Sequence, residues 1–199
     1  MNLFPLAILA VIALWFVRAK DQRQRIALLA SHLGPHQIEK HMETLTQGYL
    51  RALGEADGQR RDQIFSMLQS TEQALAAQMR ALAVDFAKVD AAHARVSRLP
   101  LYLPWLTRLL PAATFDMRQA LVVHADGIGR MVEAVDLPAR ERAFTLSAEL
   151  FLLQHTCHWF CKSRMVASAR MLARHQTAYA QLVQSVSAPT RAAYQALVG

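Results

Sequence analysis

Residues 59–98, with the sequence QRRDQIFSMLQSTEQALAAQMRALAVDFAKVDAAHARVSR, decide the fold class of this chain. Apolar residues recur there at intervals of three and four, with Thr71 and His93 filling the two gaps in the pattern. These apolar positions are Ile64, Leu68, Leu75, Met79, Leu82, Phe86, Val89 and Val96. The spacing places them on one face of a helix, like the seam of a coiled coil. It predicts a long amphipathic helix that packs against other helices.

A second apolar stripe follows Pro138 and continues until Pro189. It consists of Leu146, Leu150, Leu153, Cys157, Cys161, Met165, Leu172, Tyr179 and Val186. Shorter helices are expected up to Gly34-Pro35, from there to about Gly54, and over residues 114–135, because glycine and proline end helices. The sequence therefore predicts an all-α fold, an elongated helical bundle or hairpin in which the two long helices pack antiparallel.

Residues 2–17, NLFPLAILAVIALWFV, carry no charge and are followed at once by Arg18 and Lys20. This composition predicts a transmembrane helix, slightly short against the roughly 20 residues that cross a hydrocarbon core. A buried core helix is one alternative. A signal peptide is the other, although no basic region precedes the apolar run and no small-residue cleavage site follows it. We expect residues 1–19 to be an anchor and residues 20–199 to form one helical domain, since the chain has 199 residues.

The charges that flank the apolar stretch predict its orientation. Arg18, Lys20, Arg23 and Arg25 follow it within eight residues. By the positive-inside rule, a single-pass protein of a bacterial inner membrane would then hold its C-terminal domain in the cytoplasm. The two cysteines, Cys157 and Cys161, are not a disulfide framework and are compatible with that compartment.

Residues 98–113 form a proline-interrupted loop that is unusually apolar. Six of nine consecutive positions are large and apolar, namely Tyr102, Leu103, Trp105, Leu106, Leu109 and Leu110. A loop of this composition must be buried in the bundle, inserted into the membrane interface or docked on a partner. We predict that these six residues are covered, and that a partner subunit is one candidate to cover them.

Basic residues without acids mark the C-terminal quarter of the chain. Residues 150–199 contain no aspartate or glutamate but include Lys162, Arg164, Arg170 and Arg174. Such a segment is suited to anionic headgroups or to an acidic partner, and the alternative is an ordinary solvated helix face. No nucleic-acid-binding motif accompanies these charges, which disfavours nucleic acid as the partner.

The stretch with the most suggestive side chains for chemistry is His155-Thr-Cys-His-Trp-Phe-Cys161. Cys157, His158 and Cys161 share one side of a helix, and His93 or His124 is a candidate fourth metal ligand from another helix. The spacing fits no usual zinc or haem-attachment pattern. The alternative interpretation is that both cysteines are small apolar core residues.

No nucleophile elbow or phosphate-binding loop appears, and Asp126-Gly-Ile-Gly129 lacks the third glycine of a dinucleotide turn and predicts a close helix contact or a kink instead. The sequence therefore predicts no catalytic residue and no cofactor. The expected function is a non-enzymatic, membrane-anchored accessory or scaffold subunit that contacts other protein subunits of a membrane complex. The alternative function is a metal- or redox-binding membrane protein that uses the Cys/His cluster.

Overall fold

The computed structural model describes residues 3–100 and 110–199, and these ranges are mostly helical, which confirms the all-α prediction. The α-helices are α1 (Leu3–Leu33), α2 (Ile38–Gly54), α3 (Gly58–Phe86), α4 (Ala91–Ala94), α5 (Met117–Glu133), α6 (Ala139–Cys161), α7 (Arg164–His175), α8 (Tyr179–Ser185) and α9 (Ala188–Val198). Two short strands, β1 (Arg95–Ser97) and β2 (Thr114–Asp116), and one 3₁₀ turn (Pro111–Ala113) complete the described chain.

Helix α3 lies at the centre of the bundle and runs antiparallel to α2. The Gln37 amide, just before α2, donates to Oε1 of Gln78 over 2.7 Å, and Tyr49 Oη donates to Oε1 of Glu72 over 2.6 Å. The apolar stripe of α3 is buried here, with Leu75, Met79, Leu82 and Phe86 fully covered. The amphipathic helix predicted from the 59–98 pattern is thus observed, although it ends at Phe86.

Helices α3 and α6 run parallel, so the predicted antiparallel packing of the two long helices is wrong. Arg142 lies beside Glu72, and Phe160 lies beside Phe86 with ring centroids 6.0 Å apart, so residue numbers rise together along both helices. The physical reason is α5, which is joined to α6 by a short connection and runs antiparallel to α6, as short loops between helices require. Because α5 is also antiparallel to α3, with Arg80 paired to Glu133 and Arg118 donating to the Val89 carbonyl, α3 and α6 share one direction.

The predicted long helix between Pro138 and Pro189 is also wrong, because this part of the chain is divided into α6, α7 and α8, with α9 beginning at Ala188. The Ser163 hydroxyl accepts a hydrogen bond from the Val166 amide over 3.3 Å, and this N-cap begins a new helix. Gln176, with φ 51°, then ends α7 in the left-handed conformation. Such caps form hydrogen bonds to the backbone groups at a helix end, and they compete with continuation of the helix. Each break lets the chain reverse and wrap around α6.

The strands β1 and β2 pair antiparallel and close the base of the apolar loop. Arg95 is opposite Asp116, and Ser97 is opposite Thr114. The pairing is extended by the Arg98 amide, which donates to the Ala113 carbonyl over 2.9 Å. The two ends of the 98–113 segment are therefore held side by side on the bundle.

The first helix ends at Leu33, directly before the Gly34-Pro35 break that the sequence predicts. Across residues 3–100 and 110–199, no helix is long and apolar enough to cross a membrane, so this part of the chain does not support the predicted transmembrane helix.

Candidate functional site

The N-terminal half of α1 extends away from the bundle. Every side chain from residue 7 to residue 16 is exposed, and Leu9, Val11, Trp15 and Phe16 each expose 62–67% of their surface. Ten consecutive exposed residues cover all sides of a helix with 3.6 residues per turn. No face of this segment therefore packs on the described bundle, and a continuous apolar surface is left uncovered.

The same helix enters the bundle at Gln22, where its side chains become buried. Lys162 Nζ donates to Oε1 of Gln22 over 3.1 Å. The largely buried Arg25 guanidinium donates to the Arg95 carbonyl over 2.9 Å and lies 5.3 Å from the centre of the Phe160 ring. These contacts join α1 to the C-terminal end of α6 and to β1.

We call this region the α1 end of the bundle, defined by Gln22, Arg25, residues 95–100, residues 110–113 and residues 160–165. The Trp159 indole donates to the Ser97 carbonyl over 2.8 Å, and the Met165 amide donates to the Pro100 carbonyl over 3.2 Å. The start of the apolar loop and the first turn of α7 are therefore neighbours. Leu99, Leu110 and Met165 expose 40%, 51% and 52% of their surfaces at this end.

The predicted partner-binding residues are only partly covered by the described structure. Tyr102, Leu103, Trp105, Leu106 and Leu109 lie outside the described residues. Leu110 is described and is half exposed. The prediction that these six side chains are covered thus stays a prediction.

The predicted anionic-surface residues lie in different surroundings, and their role in binding an anionic surface stays a prediction. Lys162 lies at the α1 end, bonded to Gln22. The Arg164 guanidinium lies over the rings of Trp159 and Tyr179, 5.6 and 5.1 Å from their centres. Its charge therefore makes cation–π interactions with both rings. Arg170 and Arg174 are exposed, four residues apart on α7.

The Cys/His stretch lies at the C-terminal end of α6, where both thiols pack against the main core. Burial raises the pKa of Cys157 to about 12 and that of Cys161 to about 11, which keeps both side chains as neutral thiols. The His158 ring lies 3.4 Å from Arg170, and burial followed by that charge lowers the pKa of the imidazole. His93 is exposed on α4.

Among the described residues, no three His, Cys, Asp or Glu side chains are placed to share a metal ion. The structure therefore does not bring Cys157, His158, Cys161 and His93 together as a ligand set. His124, the other candidate ligand, is fully buried, and its Nε2 lies 2.9 Å from Oγ1 of Thr156. Burial lowers the pKa of His124 to about 3, so the ring is neutral in the folded protein.

A groove at the opposite end of the bundle was missed by the sequence analysis. It measures about 420 Å³ and is lined by Leu53, Pro138, Arg140, Glu141 and Phe144. Phe144 is 60% exposed although it is large and aromatic. The signal available in the sequence was its position two residues before Leu146, which puts a phenylalanine off the apolar stripe of α6. Leu53 carried no such signal, since it joins the groove only through the packing of α2 on α6.

No protein-family model, curated protein or solved structure matches this chain.

Proposed function

We propose that this protein is a non-enzymatic accessory subunit, anchored in a membrane by the N-terminal half of α1 and contacting other subunits through its helical bundle. The observation that carries the proposal is the uninterrupted exposure of apolar side chains over residues 7–16. Exposure of an apolar surface of this extent to water is unfavourable in free energy, so a bilayer or a partner must cover it. The bundle offers it no cover among the described residues.

A bilayer accounts for the composition of this stretch better than a protein partner does. Residues 2–17 are uncharged and almost entirely apolar, with Trp15 near their end and Arg18 directly after them. Tryptophan is enriched at the membrane–water interface, and arginine is enriched on the cytoplasmic side of a membrane span. The fifteen helical residues from Leu3 to Val17 rise about 22 Å, against about 30 Å for a typical hydrocarbon core. Modest bilayer thinning or extension of the Arg18 side chain toward the headgroups accommodates the difference.

The direction of insertion follows from the charges on the C-terminal side of the stretch. Arg18, Lys20 and Arg23 lie within about two turns of it, and the positive-inside rule keeps such residues in the cytoplasm. We therefore assign residues 20–199 to the cytoplasmic face of a bacterial inner membrane, with one membrane crossing.

The groove around Phe144 is the surface we assign to a partner subunit. It lies at the end of the bundle where α6 begins, opposite the α1 end. Its apolar wall (Leu53, Pro138 and Phe144) is bordered by one positive and one negative side chain, Arg140 and Glu141. Interfaces commonly combine an apolar centre with a polar rim, and aromatic side chains are enriched at their centres.

The anchor is tested by two measurements on the full chain. A green fluorescent reporter fused after Gly199 should fluoresce in the cytoplasm, whereas an alkaline phosphatase fused there should be inactive, because that enzyme needs disulfides that form only in the periplasm. The purified protein should float with phosphatidylcholine vesicles, and the variant Leu9→Asp/Val11→Asp should float less, because charged residues within the apolar stretch oppose insertion. Periplasmic activity of the fusion would refute the orientation, and wild-type protein that stays in the dense fraction would refute the anchor.

The partner groove is tested by Phe144→Ala, with Val84→Ala as a matched control because Val84 is also exposed, at 68%, but lies on α3 outside the groove. In mild detergent, Phe144→Ala should lose the subunit that co-purifies stoichiometrically with wild-type protein, while Val84→Ala retains it. An aromatic anchor of an interface contributes about 2 kcal/mol or more. Equal retention by both variants would contradict this assignment.

A further inference from the structure

We infer that the α1 end of the bundle sits directly on the membrane surface and binds anionic lipid headgroups. This inference deepens the proposed function and depends on the membrane anchor. It identifies the face of the bundle that meets the bilayer, and the chemistry of the lipids that this face prefers.

Helix α1 connects the apolar stretch to the bundle without a break. It runs without interruption from Leu3 to Leu33. From Val17, the last apolar residue, to Gln22, the first buried one, the axis rises about 7.5 Å. The headgroup zone on one side of a bilayer is about 5–8 Å thick. A continuous helix leaves no linker by which the bundle could move away, so its α1 end must lie at the headgroup level.

Exposed apolar side chains lie at the α1 end. Leu99, Leu110 and Met165 are each at least 40% exposed and sit at the base of the apolar loop and at the start of α7. Apolar side chains at this depth move out of water and into the boundary between headgroups and acyl chains. The exposed surface of these residues is therefore an expected consequence of membrane contact.

Positive charge is also concentrated around the α1 end. Lys20 and Arg23 flank Gln22 on α1, and Lys162 belongs to the α1 end; all three basic side chains are exposed or half-buried. The acidic side chains nearby are engaged with arginines, since Asp21 is 3.0 Å from Arg25 and Asp116 is 2.6 Å from Arg118. The excess positive charge complements a leaflet that contains anionic lipid, and each cation near such a surface adds to binding.

The experiment uses full-length protein in vesicles made of equal parts of phosphatidylcholine and phosphatidylglycerol. A fluorophore is placed on the variant Met165→Cys, and on the control variant Met67→Cys, because Met67 is 77% exposed near the start of α3. The native thiols are partly buried with raised pKa values and should label slowly, which unsubstituted protein verifies. Lipid with a nitroxide at headgroup depth should quench the label at position 165 and leave the label at position 67 unchanged.

The outcomes separate the two proposals. Protein that floats with vesicles but shows equal quenching at both positions would overturn the inference and leave the anchor intact. Protein that fails to float would overturn the anchor itself. The variant Lys20→Glu/Arg23→Glu should float as before but lose part of the quenching at position 165 in anionic vesicles. Quenching that is the same in phosphatidylcholine alone would overturn the assignment to anionic headgroups.

Discussion

Glu72 and Arg142 meet inside the bundle, with Oε2 of Glu72 3.5 Å from an Nη atom of Arg142 and less than a tenth of either side chain exposed. The other carboxylate oxygen of Glu72 accepts the Tyr49 hydroxyl over 2.6 Å. Burial, followed by the nearby Glu72 charge, raises the pKa of Tyr49 far above its usual range, so the phenol stays protonated and donates. Glu72 on α3 thus links Tyr49 on α2 and Arg142 on α6, and these two polar contacts join three helices within an apolar core.

Arg142→Ala should strongly destabilise the protein because it leaves the buried Glu72 carboxylate without its opposite charge. Removal of one partner from a buried ion pair costs about 3–5 kcal/mol. Arg140→Ala, an exposed position on the same helix, should change the free energy of unfolding by less than about 0.5 kcal/mol. Urea denaturation in detergent measures both. Similar midpoints for the two variants would show that the ion pair is unimportant.

Gly127 and Gly129 on α5 offer a matched pair of alanine substitutions. A Cβ at residue 127 would lie 2.5 Å from Oγ1 of Thr190 and 2.6 Å from Oε2 of the buried Glu149. A Cβ at residue 129 would meet only the end of the Arg80 side chain, 2.8 Å from Nη2. That side chain is 55% exposed and can move, whereas the neighbours of Gly127 cannot. Gly127 therefore confirms the close helix contact predicted from the Asp126–Gly129 sequence.

Gly127→Ala should lower the free energy of unfolding by about 1–3 kcal/mol through overpacking. Gly129→Ala should be neutral or stabilise the protein by up to about 1 kcal/mol, because alanine is a better helix former than glycine. Thermal unfolding of the two variants beside the wild type gives the comparison. Equal destabilisation at both positions would contradict the geometric distinction.

Stability should fall in acid because two buried histidines are neutral in the folded state. Burial lowers the pKa of His124 to about 3 and that of His155 to about 4, from 6.5 in the unfolded chain. With folded values below unfolded ones, the full contribution is present above pH 6.5 and is lost as the pH falls toward the folded values. Each histidine contributes a slope of up to about 1.4 kcal/mol per pH unit in that range.

His124→Gln should reduce the slope by up to about 1.4 kcal/mol per pH unit, because it removes one of the two buried imidazoles. Comparison of the variant with the wild type cancels the contribution of the carboxyl groups, which is common to both proteins. Urea unfolding at several pH values supplies the slopes. An unchanged slope in His124→Gln would mean that this ring is protonated in the folded protein.

Replacement of Cys157 and Cys161 by alanine should act through packing. Both thiols contact the main core, and loss of two partly buried sulfur atoms should cost about 1–3 kcal/mol. No bound metal should be lost, as elemental analysis of the purified protein would verify. In addition, iodoacetamide should react slowly until the chain is unfolded, because the thiolate is the reactive form. Stoichiometric zinc or iron in the wild type that disappears in the double variant would favour the metal-binding alternative.

Local signals predicted several of the helix ends. The breaks at Gly34-Pro35, Gly54 and Pro138 appear as expected, since glycine and proline act on their own backbone and its immediate neighbours. The break at Ser163 was not predicted, because the apolar stripe continues through Met165 as though the helix did. An N-cap serine within an apolar pattern is a weak signal when considered without the tertiary contacts of the next helix.

By itself, the sequence determined the helical class and the apolar N-terminal stretch, because each depends on residues near one another in the chain. Only the tertiary structure decided that α3 and α6 run parallel, that Leu53 and Phe144 share a groove, and that Met165 lies beside Pro100 where α1 leaves the bundle. These relationships join residues that are tens of positions apart. Their free energy comes from contacts formed only when the whole core packs, and hydrophobic periodicity indicates which face is buried but not which helix covers it.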